Sequence, residues 1–142
     1  MAAGPTVKQI LQTYPGKIRL VIKNYPYKYR DFARIAAEAS LAARDQGKYW
    51  EMHDLLITRS PKLDRQSLIA YARELGLDLA LFTSSIDGQK HKSEIERDLE
   101  LAVKMDLYNT PTFYINGRGL IGAQPYEAFK QVIDEELAAA KK

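Results

Sequence analysis

Apolar positions recur along most of the chain at the three-to-four spacing of helices. Val7, Ile10 and Leu11 predict a short helix over 6–14, with Thr6 as its N-cap and Pro15-Gly16 as its stop. Residues 31–46 are rich in alanine and place Phe32, Ile35 and Ala39 on one face, with Gly47 as the C-terminal cap. A helix over 48–59 carries Trp50, Leu55, Leu56 and Ile57 as core candidates, and Ser60-Pro61 ends it. Three more helices are predicted over 64–75, 78–86 and 92–105. Their stripes are Leu68, Ala72 and Leu75; Leu79, Leu81 and Phe82; and Ile95, Leu99, Ala102 and Val103. The last helix, 125–140, lines up Tyr126, Phe129, Val132, Ile133 and Leu137, and Lys141-Lys142 suits the negative end of its dipole.

Strand periodicity is confined to short stretches. In residues 17–24, Ile18, Leu20 and Ile22 alternate with Arg19, Val21 and Lys23, and the run Leu20-Val21-Ile22 implies burial on both faces at mid-strand. Residues 112–116 and 120–122 predict two strands joined at Asn116-Gly117, whose positions tolerate the positive φ of a tight hairpin turn. The skeleton is helix, strand, five helices, strand, strand, helix: a small sheet with helices on it and a helical insertion of about forty residues.

Composition changes this picture little. The chain has 142 residues, 46% hydrophobic and 27% charged, enough for one domain with a real core. Residues 1–5 read as an irregular start, and its Met1-Ala-Ala-Gly4 has neither the charged nor the apolar region of a secretory signal. No apolar run approaches the roughly 20 residues of a spanning helix. A net charge of +3, spread along the chain, does not make nucleic acid the default partner. The absence of cysteine matters more. It removes disulfides, thiolate nucleophiles and cysteine-containing zinc sites.

Candidate chemistry is sparse. His53 stands near Trp50 and Asp54 as a base or ligand, against a structural role; His91 is expected at a solvated helix start. Glu94, Glu96, Asp98 and Glu100 fall two apart on a helix and diverge, so they read as a solvated face. Lys23, Tyr25, Tyr27, Lys28, Tyr29 and Arg30 interleave rings and cations, which suits base stacking or a loop of snorkelling side chains. No phosphate loop, Ser-His-Asp set or metal spacing is present, and no cofactor is expected.

Three stretches in order carry a family likeness. They are Tyr14-Pro-Gly-Lys-Ile-Arg-Leu-Val-Ile-Lys-Asn-Tyr-Pro26, Gln46-Gly-Lys-Tyr-Trp-Glu-Met-His-Asp54, and the segment from Lys104 through Asn109-Thr-Pro-Thr-Phe-Tyr-Ile-Asn-Gly-Arg118 to Pro125. From Pro5 to Leu137 the chain resembles the DsbA-like thioredoxin-fold family of thiol–disulfide oxidoreductases. The resemblance implies an α/β fold: an incomplete thioredoxin-like domain over 1–142, N-terminally truncated, with a small mixed sheet and a helical insertion over about 48–105. It also implies a cis Thr110–Pro111 bond, with Thr110 and Pro111 facing an extended polypeptide substrate.

The family's first strand and Cys-X-X-Cys motif have no counterpart here. Residues 17–24 and 112–116 are then each left without a central partner. Direct pairing of these two strands is one remedy; pairing with a second copy of the chain, a homodimer through exposed strand edges, is another. The expected function is that of a truncated relative of thiol–disulfide oxidoreductases, inactive alone because exchange needs a thiolate. The alternative is a non-catalytic protein-binding or dimerisation module. An enzyme of the glutathione-transferase or isomerase type, with serine at the reactive position, is a third idea, weakened because that position is also missing. Neither nucleic acid nor membrane is an expected partner. The compartment stays open, although a full-length family parent is usually exported.

Overall fold

The computed structural model describes residues 3–141. Residues 1–2 of the irregular start, and Lys142 of the terminal lysine pair, lie outside them. The elements are α1 (Gly4–Thr13), α2 (Ala33–Arg44), α3 (Tyr49–Thr58), α4 (Arg65–Glu74), α5 (Leu79–Asp87), α6 (Lys92–Lys104), β1 (Thr112–Ile115), β2 (Arg118–Ile121) and α7 (Tyr126–Ala139). The chain divides into two compact units. Unit 1 comprises the stretch ending at Ile22 and the stretch beginning at Val103; unit 2 is Lys23–Ala102. The helical insertion expected over about 48–105 lies almost wholly in unit 2.

Unit 1 packs α1 and a β-hairpin on α7. Ile10 and Tyr14 from α1 and its cap meet Phe129 and Ile133 of α7, with Ile18, Phe113, Ile115 and Leu120 against them. The helix is capped differently from the expectation: Ala3 is the N-cap, no side chain caps it, and Pro5 enters the first turn together with Thr6. Proline suits that position because its missing N–H has no helical partner there. Tyr14 Oη donates to Asp134 Oδ1 at 2.6 Å, tying the end of α1 to α7. Burial, followed by that hydrogen bond to a carboxylate, pushes the Tyr14 phenol up to about 12.

The predicted strand over 17–24 is corrected. Among the described residues the sheet has two strands, β1 and β2, and residues 18–27 belong to no ladder. Direct pairing of this stretch with β1 is therefore not the arrangement adopted. Its mid-strand burial is corrected too, since Val21 is 57% exposed and Ile22 36%. Alternation alone does not make a strand; a hydrogen-bonded neighbouring strand does, and among the described residues none pairs with this stretch. Ile18 nevertheless packs on the unit 1 core.

Unit 2 gathers α2, α3, α4 and α5 around Ala39, Ala42, Ala43, Met52, Leu68, Ala72, Phe82 and Ile86. The alanines of α2 let neighbouring helices approach closely. Gly47, at φ +74, closes α2: Gly47 N–H reaches Arg44 O and Lys48 N–H reaches Ala43 O, both at 2.9 Å. Asp64 and Asp78 cap α4 and α5 by accepting from Ser67 N–H and Leu81 N–H. Several core expectations shift by one helical face. Met52 is fully buried whereas Trp50 is 49% exposed, and Leu81 and Val103 are exposed. A turn of 3.6 residues leaves short apolar runs ambiguous about which member points inward.

The acidic run on α6 is more than a solvated face. Arg44 clamps Glu94 through two bonds of 2.6 and 2.8 Å, and Arg34 meets Glu96 at 2.8 Å. Asp98 is buried and accepts the Asn24 backbone N–H at 2.8 Å, with Lys23 at 3.1 Å. His91 is also buried, not solvated as expected. Its backbone N–H donates to Glu38 Oε2, and its Nε2 lies 2.9 Å from Asp45 Oδ2.

Candidate functional site

The hairpin of unit 1 positions the two residues singled out by sequence. β1 and β2 run antiparallel, with Thr112 opposite Ile121, Phe113 opposite Leu120, Tyr114 opposite Gly119 and Ile115 opposite Arg118. Phe113, Ile115 and Leu120 face the core, so Tyr114 and Ile121 fall on the outer face, 43% and 53% exposed. Asn116 and Gly117 both take positive φ, +48 and +89, the pattern of a type I′ turn. Arg118 pairs with Glu135 at 2.6 Å, pinning the turn to α7 from the surface.

The Thr110–Pro111 peptide bond at the mouth of this hairpin is cis, as is Ser60–Pro61 in unit 2. Thr110 is exposed and Pro111 half-buried. The ladder extends one step past β1, where Gly122 N–H donates to Pro111 O at 2.8 Å. Asn109 organises the other side. Its Oδ1 accepts Thr110 N–H at 2.9 Å, and its carbonyl accepts the Thr112 hydroxyl at 2.7 Å. Asn109 is not among the site residues that the sequence predicts. Its signal was the Asn-Thr-Pro step itself, because asparagine side chains bond to nearby backbone N–H groups and so fix turns. With Pro111 O and Thr110 N–H held internally, β1 pairs with β2 along one edge and with no strand along the other, among the described residues.

The remaining candidates do not join this site. His53 sits in unit 2 in an aromatic cluster with Tyr49 at 6.0 Å and Trp50 at 5.6 Å between ring centroids. Its Nδ1 is 3.5 Å from Asp54 and has no hydrogen bond. Among the described residues no group of three or more His, Asp or Glu could hold a metal ion. No helix among them is long and apolar enough to cross a membrane. The chain contains no cysteine, so nothing in it can attack or form a disulfide.

Comparison with known proteins now gives this geometry a family. Residues 2–135 match the Thioredoxin family model. A thioredoxin-like oxidoreductase from Silicibacter pomeroyi superposes with a TM-score of 0.85 at 28% identity, covering 99% of this chain and 78% of its own. The thiol-disulfide exchange protein alpha-DsbA2 from Wolbachia pipientis shares the fold, with a TM-score of 0.80 and 22% identity over 92% of this chain and 71% of its own. The Na(+)/H(+) antiporter NhaA 3 from Salinispora tropica is 34% identical over 140 residues, 98% of this chain and 21% of the antiporter. The chain thus spans about a fifth of the length of the curated relatives it matches. The fold is mixed α/β and thioredoxin-like, with structural neighbours among the DsbA-type thiol–disulfide oxidoreductases, and the chain belongs to the thioredoxin family.

Proposed function

We propose that this chain is a relative of the thiol–disulfide oxidoreductases that presents the polypeptide-facing wall of such a site and contributes no sulfur to it. Thr110 and Pro111 are the substrate-facing pair, and the ligand is an extended polypeptide. The observation that carries the reading is the hairpin: an exposed Thr110 leads into β1, whose second edge has no strand beside it among the described residues. An extended chain can add to such an edge through backbone hydrogen bonds. The test is an insulin-reduction assay on the purified chain, with binding of a fluorescent unfolded peptide measured in parallel. Peptide binding without turnover is expected; turnover at the rate of an intact oxidoreductase overturns the reading. The same edge suits a second copy of the chain, and light scattering at high concentration tests that homodimer, which a clean monomer contradicts.

A second reading takes the alternative of a non-catalytic protein-binding module. It is supported by the match of nearly the whole chain to a fifth of a sodium–proton antiporter. Exchange of ions across a membrane requires the transporter to sit in one, so the module would work beside a membrane protein. Co-purification with the host's sodium–proton antiporter in detergent is expected; its absence contradicts this reading.

A further inference from the structure

The loop that opens unit 2 carries aromatic and basic side chains that the exchange reading does not use. Its rings form a ladder: Tyr25 and Tyr27 meet edge to face at 5.2 Å, and Tyr27 and Tyr29 lie 5.0 Å apart at 32°. Tyr29 is the outer rung and is 75% exposed; Phe32, which opens α2, is 48% exposed. Phe32 has a φ of +64, a conformation that bulky residues rarely adopt. The cations of the stretch are Lys23, Lys28, Arg30 and Arg34, with Asp31 the one anion. Lys23 is paired with Asp98 and Arg34 with Glu96. Lys28 and Arg30 have no ion-pair partner among the described residues.

We propose that residues 28–32 form a docking surface for an anionic lipid bilayer. Tyr29 and Phe32 enter the headgroup region, and Lys28 and Arg30 meet the lipid phosphates. Tyrosine favours that boundary because its apolar ring can enter it while the hydroxyl stays in water, and the Phe32 ring adds apolar area to bury. Neighbouring cations add attraction to the negative leaflet surface. Single-stranded RNA is the competing class of partner. It needs ring faces open for base stacking, whereas Tyr27 is packed between Tyr25 and Tyr29. The surface departs from the sequence expectation of no membrane partner. It deepens the second reading above, a module beside a membrane transporter, and rests on it.

The test is co-sedimentation of the full chain with phosphatidylcholine vesicles, with and without a one-third share of phosphatidylglycerol. Binding to the anionic vesicles alone is expected. Lys28→Gln with Arg30→Gln should weaken it about tenfold or more, as should Tyr29→Ser with Phe32→Gly. Glycine accepts a φ of +64 without steric cost, so the second pair removes the rings while circular dichroism stays unchanged. Failure to sediment with anionic vesicles, binding that ignores all four substitutions, or binding of RNA in place of vesicles overturns the proposal. Co-purification with the antiporter but no vesicle binding refutes the surface and leaves the second reading standing. Vesicle binding without co-purification supports the surface and removes the transporter.

Discussion

Phe129→Ala is the most informative perturbation of unit 1, because it removes the side chain on which the hairpin is seated. Phe129 is 3% exposed, and its ring meets Phe113 of β1 edge to face at 4.9 Å and 88°. Ile10, Tyr14 and Ile133 share the cluster, so the vacated space is walled by residues from α1 and α7 that are themselves buried. Truncating a buried phenylalanine to alanine costs about 3–5 kcal/mol. The total for a chain of this kind is about 5–15 kcal/mol, so about a fifth of its stability or more is at stake. A double-mutant cycle with Phe113→Leu and Phe129→Leu isolates the ring pair, with an expected coupling of about 0.5–1.5 kcal/mol. Urea unfolding followed by far-ultraviolet circular dichroism reads both quantities as midpoint shifts at unchanged slope. A loss below about 0.5 kcal/mol for Phe129→Ala, the range of an ordinary surface change, would refute the seating of β1 on α7. Strict additivity of the two leucine substitutions would contradict the ring contact.

Other consequences are quickly checked. Gly117→Ala forces a Cβ onto φ +89 and should cost about 1 kcal/mol or more, read as a lower melting temperature. Phe32→Gly should leave stability level or raised, because the left-handed conformation is released; a clear loss on urea unfolding contradicts the account of Phe32 as unused by the core. The hydrogen bonds from Arg44 hold the Glu94 carboxyl below the usual carboxylate range. A lowered carboxyl stabilises above its unfolded pKa and loses that contribution as pH falls through its folded pKa. Glu94→Gln should therefore flatten the acid limb of stability against pH below the ordinary carboxylate range. The effect is modest, because the pair is partly solvated.

Local signals made most helices and the hairpin legible. Asn116-Gly117, Asp64, Asp78 and Gly47 act through bonds to residues a few positions away, and such geometry is written in adjacent letters. Residues 17–24 were not legible, because their alternation matches a strand while the ladder depends on a neighbour that residue types do not reveal. His91 and Asp98 failed for a related reason. Their burial is set by Glu38, Asp45 and Asn24, distant in sequence. At the candidate site Thr110 and Pro111 came from a family likeness, whereas the part played by Asn109 emerged only from its bonds.

The claim that the hairpin mouth receives an extended polypeptide is tested most directly by a 15N chemical-shift titration of the chain with an unfolded cysteine-free peptide. Saturable shifts at Asn109, Thr110, Thr112 and Tyr114 are the predicted result. Saturable shifts confined to α3–α5, or none anywhere at millimolar peptide, would contradict it.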